Sequence, residues 1–263
     1  MSVMDLNKLL KKYDNLNLQE AVDYRKFNFY TITNHSTWIE GSRLSIIETQ
    51  LLLDDGLTPK SKPLNDTLMT IDHHKALMFI VDLASKKDNI SSDSVKQINS
   101  LVMKSTGNVI NTALGSVDSS MGDFRKMKVF VRDISFPNFE KVPQLVSDFC
   151  KEFNSRLKLQ NTVEDKLKFS FWAHYNLVSI HPFVDGNGRT ARLLMNFVQE
   201  YYKLPLSIVY KEDKAEYFAA LQETDDENNI NIFYKFMFHQ YEKFINENIK
   251  KAKKNDNGFK LLF

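Results

Sequence analysis

Residues that break helices are scarce: eight glycines and six prolines in 263 residues leave few places for a sharp turn, so the chain is limited to long helices joined by short connections. Apolar residues recur at helical spacing over residues 5–13, 42–53, 66–84, 92–104, 142–157, 164–180, 213–224 and 230–251. Strand-period alternation is convincing only around Val129 and Val131. The reading is a mainly α chain, residues 1–263 forming one domain with ample length for a core. Residues 57–63, with Thr58-Pro59 and Lys62-Pro63, read as the best linker, and no internal repeat is visible.

Charge and cysteine usage narrow the class. Lys and Arg number 35 against 33 Asp and Glu, a balance that gives no footprint for nucleic-acid or membrane partners. The single cysteine, Cys150, cannot close an internal disulfide and lacks metal-type neighbours. It suits a reducing compartment as a buried residue. The first residues lack a signal-peptide apolar core and no apolar run is long enough for a membrane span, so a cytoplasmic location is expected. The Lys250-Lys251-Ala252-Lys253-Lys254 run reads as a solvated helix end, where cations suit the helix dipole.

Two of the eight glycines crowd into one segment, His181-Pro182-Phe183-Val184-Asp185-Gly186-Asn187-Gly188-Arg189-Thr190-Ala191-Arg192. Glycines on either side of Asn187 let backbone N–H groups converge into an anion nest. Residues 190–198 contain no breaker, so the loop sits at a helix N-terminus, where the dipole also favours an anion. Arg189 and Arg192 share a helical face as forked donors. Asp185 is a hard oxygen ligand suited to the Mg²⁺ that accompanies ATP, and His181 a base partly neutral near pH 7. Phe183 is expected to anchor the loop in the core.

Rival readings fit less of the segment. Gly186, Gly188 and Ala191 satisfy a dinucleotide fingerprint, with Glu212 about twenty residues on, but that fold needs strands alternating with helices. No Gly-x-x-x-x-Gly-Lys-(Ser/Thr) P-loop occurs. His174 and His181 lack a third zinc ligand at recognisable spacing, and His174 reads as a core histidine.

The segment matches, without a gap, the pattern His-x-Phe-x-(Asp/Glu)-Gly-Asn-Gly-Arg-x-x-Arg, so the chain resembles the Fic family. The resemblance implies a Fic-type helical bundle with a small β-hairpin flap, residues 97–243 as catalytic core, and a protein adenylyltransferase. His181 would deprotonate a target hydroxyl that attacks the α-phosphorus of ATP, with Asp185 holding Mg²⁺. The implied ATP-binding set is Gly186, Asn187, Gly188, Arg189, Thr190, Arg192 and Tyr217, the last from Tyr217-Phe218-Ala219-Ala220-Leu221, which resembles the family's Tyr-x-x-Ala-Leu near the adenine pocket. Upstream, Ser36-Thr37-Trp38-Ile39-Glu40-Gly41 resembles the family's inhibitory-helix pattern (Ser/Thr)-x-x-x-Glu-(Gly/Asn). It places an N-terminal inhibitory segment at residues 30–56 and implies that Glu40 pairs with Arg192 against the γ-phosphate. Read by itself, the same pattern is a helix cap with Ser36 capping and Gly41 ending the turn.

Residues 122–131 resemble the stretch leading into the family's flap, where Val129, Phe130 and Val131 would pair with an extended target segment carrying a hydroxyl side chain, on another protein or on the chain itself. The sequence departs from the pattern at Phe136-Pro137, where two prolines are common, and at Asp225 and Asp72, where Asn is frequent. Gly188 stands where the phosphorylating Doc branch usually has lysine, which favours AMP transfer over γ-phosphate transfer. Removal of AMP from a modified target, transfer of another phosphate-linked group, and a non-catalytic nucleotide-binding role stay open.

Overall fold

Helix starts are set by local chemistry wherever the sequence supplies a cap. Ser45, Ser91 and Thr162 each form a capping box with the residue three positions on, their side chains accepting from the N–H groups of Glu48, Ser94 and Asp165. The computed structural model describes residues 3–16, 22–131 and 134–254. Ten helices are described: α1 (Val3–Asp14), α2 (Val22–Ile39), α3 (Ile46–Asp55), α4 (Leu64–Lys86), α5 (Ser92–Val102), α6 (Val142–Arg156), α7 (Val163–Ile180), α8 (Asn187–Tyr201), α9 (Lys214–Asp226) and α10 (Ile230–Lys254).

α8 is the hub. Leu193, Leu194, Met195, Phe197 and Val198 are all 0% exposed, because α4, α5 and α7 pack around this helix. α10 packs on α9, α7 and α1, and α2 lies against α3, α4 and α8. Residues 57–63 connect α3 to α4, as the linker reading expects. Among the described residues no helix is long and apolar enough to cross a membrane.

Three features depart from the sequence reading. α2 is a full helix of 18 residues, whereas periodicity marked no helix there and the inhibitory segment was expected to begin at residue 30. Its apolar stripe is hidden because polar residues also face the interior: Asn34 Nδ2 donates to the Leu44 carbonyl at 2.8 Å and to Thr49 Oγ1 at 2.9 Å, and Thr37 Oγ1 donates to the Thr33 carbonyl. Second, strands are not confined to the flap. β1 (Val109–Thr112) pairs antiparallel with β2 (Gly115–Asp118) before the chain reaches the flap strands β3 (Phe130–Val131) and β4 (Ile134–Ser135). Third, α8 begins at Asn187, not near Thr190, so the second glycine of the motif lies inside the first helical turn.

Candidate active site

α7 ends at His181 in the left-handed region, φ 49° and ψ 58°, a conformation that a non-glycine residue holds only when its surroundings fix it. The chain turns back through Pro182 to Asp185, and Gly186, φ 79°, launches α8. A Cβ on Gly186 would lie 2.7 Å from Asn99 Nδ2 and 3.0 Å from Met103 Sδ, so glycine is required for space as well as for backbone angle. The turn is clipped shut by Asn187, whose side chain accepts from the Phe183 N–H and donates to the Phe183 carbonyl, both at 2.9 Å. Phe183 is buried against Phe124. Asn99, on α5, donates to the Asp185 carbonyl at 3.0 Å and to Thr190 Oγ1 at 3.2 Å.

The loop opens on a cavity of about 300 Å³. Glu40, His181, Asp185, the Gly186-Asn187-Gly188 turn and Arg192 form its polar end; Val178, Phe218, Leu221, Gln222 and Asp225 line the rest. His181 is stacked on Phe136, ring centroids 3.9 Å apart. Burial pushes its imidazole down to about 4 and Arg125 adds to the effect, while the Val178 backbone, Glu40 and Asp185 pull the other way. The ring is therefore neutral at pH 7 and able to accept a proton.

Glu40 closes the polar end. α2 terminates just before it, and Gly41 at φ 110° turns the chain away. Arg192 Nη2 donates to Glu40 Oε1 at 2.6 Å and to the Ser36 carbonyl at 3.0 Å, while Nε donates to Ser36 Oγ at 2.9 Å. Ser36 thus serves the arginine from within α2 and caps no helix start. Arg192 is 3% exposed. Burial opposes ionisation of the Glu40 carboxyl, but Arg192 and Arg189 outweigh it and hold that group below the ordinary carboxylate range. A Cβ on Gly188 would lie 2.7 Å from Glu40 Oε1 and 3.1 Å from Arg192 Nη1, so the carboxylate rests directly over the first turn of α8.

Residues 89–199 match the model of the Fic/DOC family. This stretch is a Fic/DOC domain. The chain is 31% identical over 210 residues to protein adenylyltransferase fic-1 of Caenorhabditis elegans, covering 78% of this chain and 39% of that protein. It is 31% identical over 204 residues to protein adenylyltransferase Fic of Aedes aegypti, covering 77% of this chain and 38% of that one. The chain therefore spans less than half the length of these curated relatives. A Fic domain containing signaling protein from Bacteroides thetaiotaomicron superposes with a TM-score of 0.80 at 24% identity, covering 94% of this chain and 97% of that one, which shows the shared fold. Fic-1 from C. elegans superposes with a TM-score of 0.76 at 26% identity, over 95% of this chain and 72% of that one.

The remaining residues of the Fic motif divide by location. Arg189 and Thr190 do not line the cavity. Arg189, 2% exposed, reaches Asp185 Oδ1 at 3.3 Å and Met103 Sδ at 3.1 Å, and Thr190 is held against Asn99. Tyr217 lines the cavity and its hydroxyl is 3.0 Å from His174 Nε2; His174 is a buried core histidine. Asp72 lies away from the cavity, its carboxylate accepting from the Ser105 N–H at 2.6 Å and Ser105 Oγ at 3.0 Å. Asp225 does line it and accepts from the Tyr175 hydroxyl. In the flap Phe130 is 65% exposed, Val129 precedes β3, and the Val131 side chain lies outside the described residues.

Asp185 stands at the cavity as the candidate metal ligand. Its side chain is 61% exposed at the cavity, with Oδ1 accepting from the Gly186 N–H at 2.5 Å. Among the described residues no group of three His, Cys, Asp or Glu side chains could hold a metal. One exposed carboxylate fits the mode in which Mg²⁺ takes a protein carboxylate, substrate phosphates and water. Asn99, Arg125 and Phe136 escaped the sequence reading as site residues. Arg125 carried no signal, because Asp123 two residues away is a ready partner in the sequence; Asn99 and Phe136 carried none either.

Proposed function

We propose that this chain is a protein adenylyltransferase that moves AMP from ATP to a hydroxyl side chain of a protein, and that the end of α2 restrains it. The reading rests on one observation above all: a neutral histidine, the N-terminus of α8 and a buried arginine meet in one cavity. The relatives named as protein adenylyltransferases support it. Residues 97–243 would be the catalytic core and residues 30–56 the regulatory segment. Cys150, buried and unpaired, suits a cytoplasmic setting.

In this reaction His181 accepts the proton of the target hydroxyl, the oxygen bonds to the α-phosphorus, and the bond to the β-phosphate oxygen breaks to release pyrophosphate. The N–H groups of Asn187 and Gly188 and the Arg192 guanidinium stabilise the phosphate charge, as phosphoryl transfer requires, while the Gly186 N–H holds the Asp185 carboxylate. Asp185 would hold Mg²⁺, which supplies charge neutralisation between phosphates when bound. The target would dock as an extended segment along the flap. Glu40 and a terminal phosphate compete for Arg192, because one guanidinium cannot serve both at full strength.

The test is label incorporation from α-labelled and γ-labelled ATP with Mg²⁺, using the native chain, Glu40→Gly, and Glu40→Gly with His181→Ala. Label from the α position alone, strongest in Glu40→Gly and absent from the double variant, is expected. Label from the γ position would replace AMP transfer with phosphorylation, and none from either would remove the transferase reading.

A further inference from the structure

Arg125 is 2% exposed, and no carboxylate among the described residues pairs with it. A guanidinium buried without a counterion is expensive unless its donors are well placed, and here each nitrogen has a carbonyl. Nε donates to the His181 carbonyl at 2.7 Å, Nη1 to the Met127 carbonyl at 3.1 Å and Nη2 to the Pro137 carbonyl at 2.6 Å. The backbone N–H of the same residue donates to the Pro182 carbonyl at 3.0 Å.

These acceptors are not a random set. Met127 and Pro137 lie on either side of β3 and β4, so two arms of the fork hold the two feet of the flap. The third arm and the backbone N–H hold the two carbonyls that leave α7, where His181 takes its left-handed conformation. The residue before Pro137 is Phe136, whose ring lies stacked on the His181 imidazole.

We propose that Arg125 is a positioning residue that sets the flap and the base His181 in one frame, so that a hydroxyl docked on the flap meets the imidazole at a fixed distance and angle. The inference rests on the transferase reading for its functional meaning. Its geometric content stands apart: with the guanidinium gone, the Pro137 foot is released and Phe136 no longer holds the His181 ring. Lysine keeps the cation and the aliphatic stem, yet its ammonium lacks the planar fork needed to reach three carbonyls at once.

The experiment compares Glu40→Gly alone with Glu40→Gly carrying Arg125→Lys or Arg125→Met, in protein with carbon-13-labelled histidine. The His181 ring resonance is assigned by its disappearance in His181→Ala, and its ring-current shift reports the Phe136 stack. AMP transfer to the chain itself and ATP affinity are measured on the same samples. The expected result is loss of the ring-current shift and a fall in transfer of about tenfold to a hundredfold, ATP affinity staying within about twofold. Arg125→Lys should fall between the parent and Arg125→Met; should the methionine variant fail to fold, the lysine variant carries the test. An unmoved His181 resonance, transfer at the parent rate, or ATP affinity falling in step with transfer would overturn the proposal. A parent that incorporates no α-label fails the transferase reading, and the histidine resonance then still decides whether Arg125 holds the ring.

Discussion

The motif loop and the end of α2 meet at Arg192, yet they are built in opposite ways. The loop is clipped by bonds among near neighbours, Asn187 to Phe183 and Arg189 to Asp185, each four residues apart, with Asn99 and Arg125 as supports from outside it. The α2 end is tied to Arg192 across 152 residues, and its position depends on how α2 lies on α3, α4 and α8. It is steadied from the far side by His35, whose Nδ1 accepts from the Lys211 N–H at 3.1 Å. Local ties fix the shape of the loop within its own segment, the kind of preorganisation that the proposed phosphate chemistry would need. The α2 end holds Arg192 through one ion pair and two Ser36 bonds, and in the proposed reaction the ion pair is the contact that a phosphate would displace.

Acid should break both regions together and produce the largest effect. Burial holds His181 and His74 down at about 4 and His35 and His174 at about 3, against an ordinary 6.5. Each group binds a proton more readily once unfolded, so its contribution is present in full above about 6.5 and is lost as pH falls towards 4, at about 1.4 kcal/mol per pH unit for each proton. The midpoint of thermal unfolding, followed from pH 7.5 to 4.5, should fall steeply below 6.5; a flat profile would contradict the burial of these rings.

His181→Ala is expected to lower AMP transfer by about 10²–10⁴-fold while ATP affinity stays near that of the parent, which label incorporation and calorimetry would separate. Asn187→Ala removes both bonds of the loop clip. It should lower stability by about 2–3 kcal/mol in chemical denaturation and reduce transfer even in a Glu40→Gly background, because its damage lies in the loop and not at the α2 contact.

Glu40→Gly addresses the other region. It should tighten ATP binding by about tenfold and lower the unfolding temperature of the free chain, because the buried Arg192 loses its carboxylate partner. ATP should restore that temperature, a recovery that differential scanning calorimetry can read. Ser36→Ala removes one bond to Arg192 and leaves the carboxylate, so the expected gain in ATP affinity is smaller, about threefold to fivefold. If Ser36→Ala matched Glu40→Gly, the restraint would reside in the packing of α2 and not in the ion pair.

Much of the loop was legible because its chemistry is carried by residue types at fixed local spacing. His181, Asp185, Gly186 and Gly188 meet at one cavity, and Phe183 is in the core. Helix α2 was hidden because its inward face mixes Asn34, Ser36 and Thr37 with apolar residues, and their hydrogen bonds exist only in the folded chain. The β1 and β2 strands show little alternation, since three of the eight residues are Gly115, Ser116 and Asp118. Arg189 and Arg192 share a helical face by spacing, yet Arg192 faces the cavity and Arg189 turns under the loop to Asp185 and Met103.

By itself the sequence determined a helical chain, a phosphate-type loop at a helix start and the residues able to do chemistry there, because helix period, glycine turns and side-chain acidity are local properties. Only the tertiary structure decided which charge each arginine meets. Arg192 was brought to Glu40 by the packing of α2 on α8, and Arg125 was brought to three carbonyls by the fold of the flap onto the end of α7. The energy of a buried charge depends on every group around it, and those groups come from segments that spacing along the chain cannot place side by side.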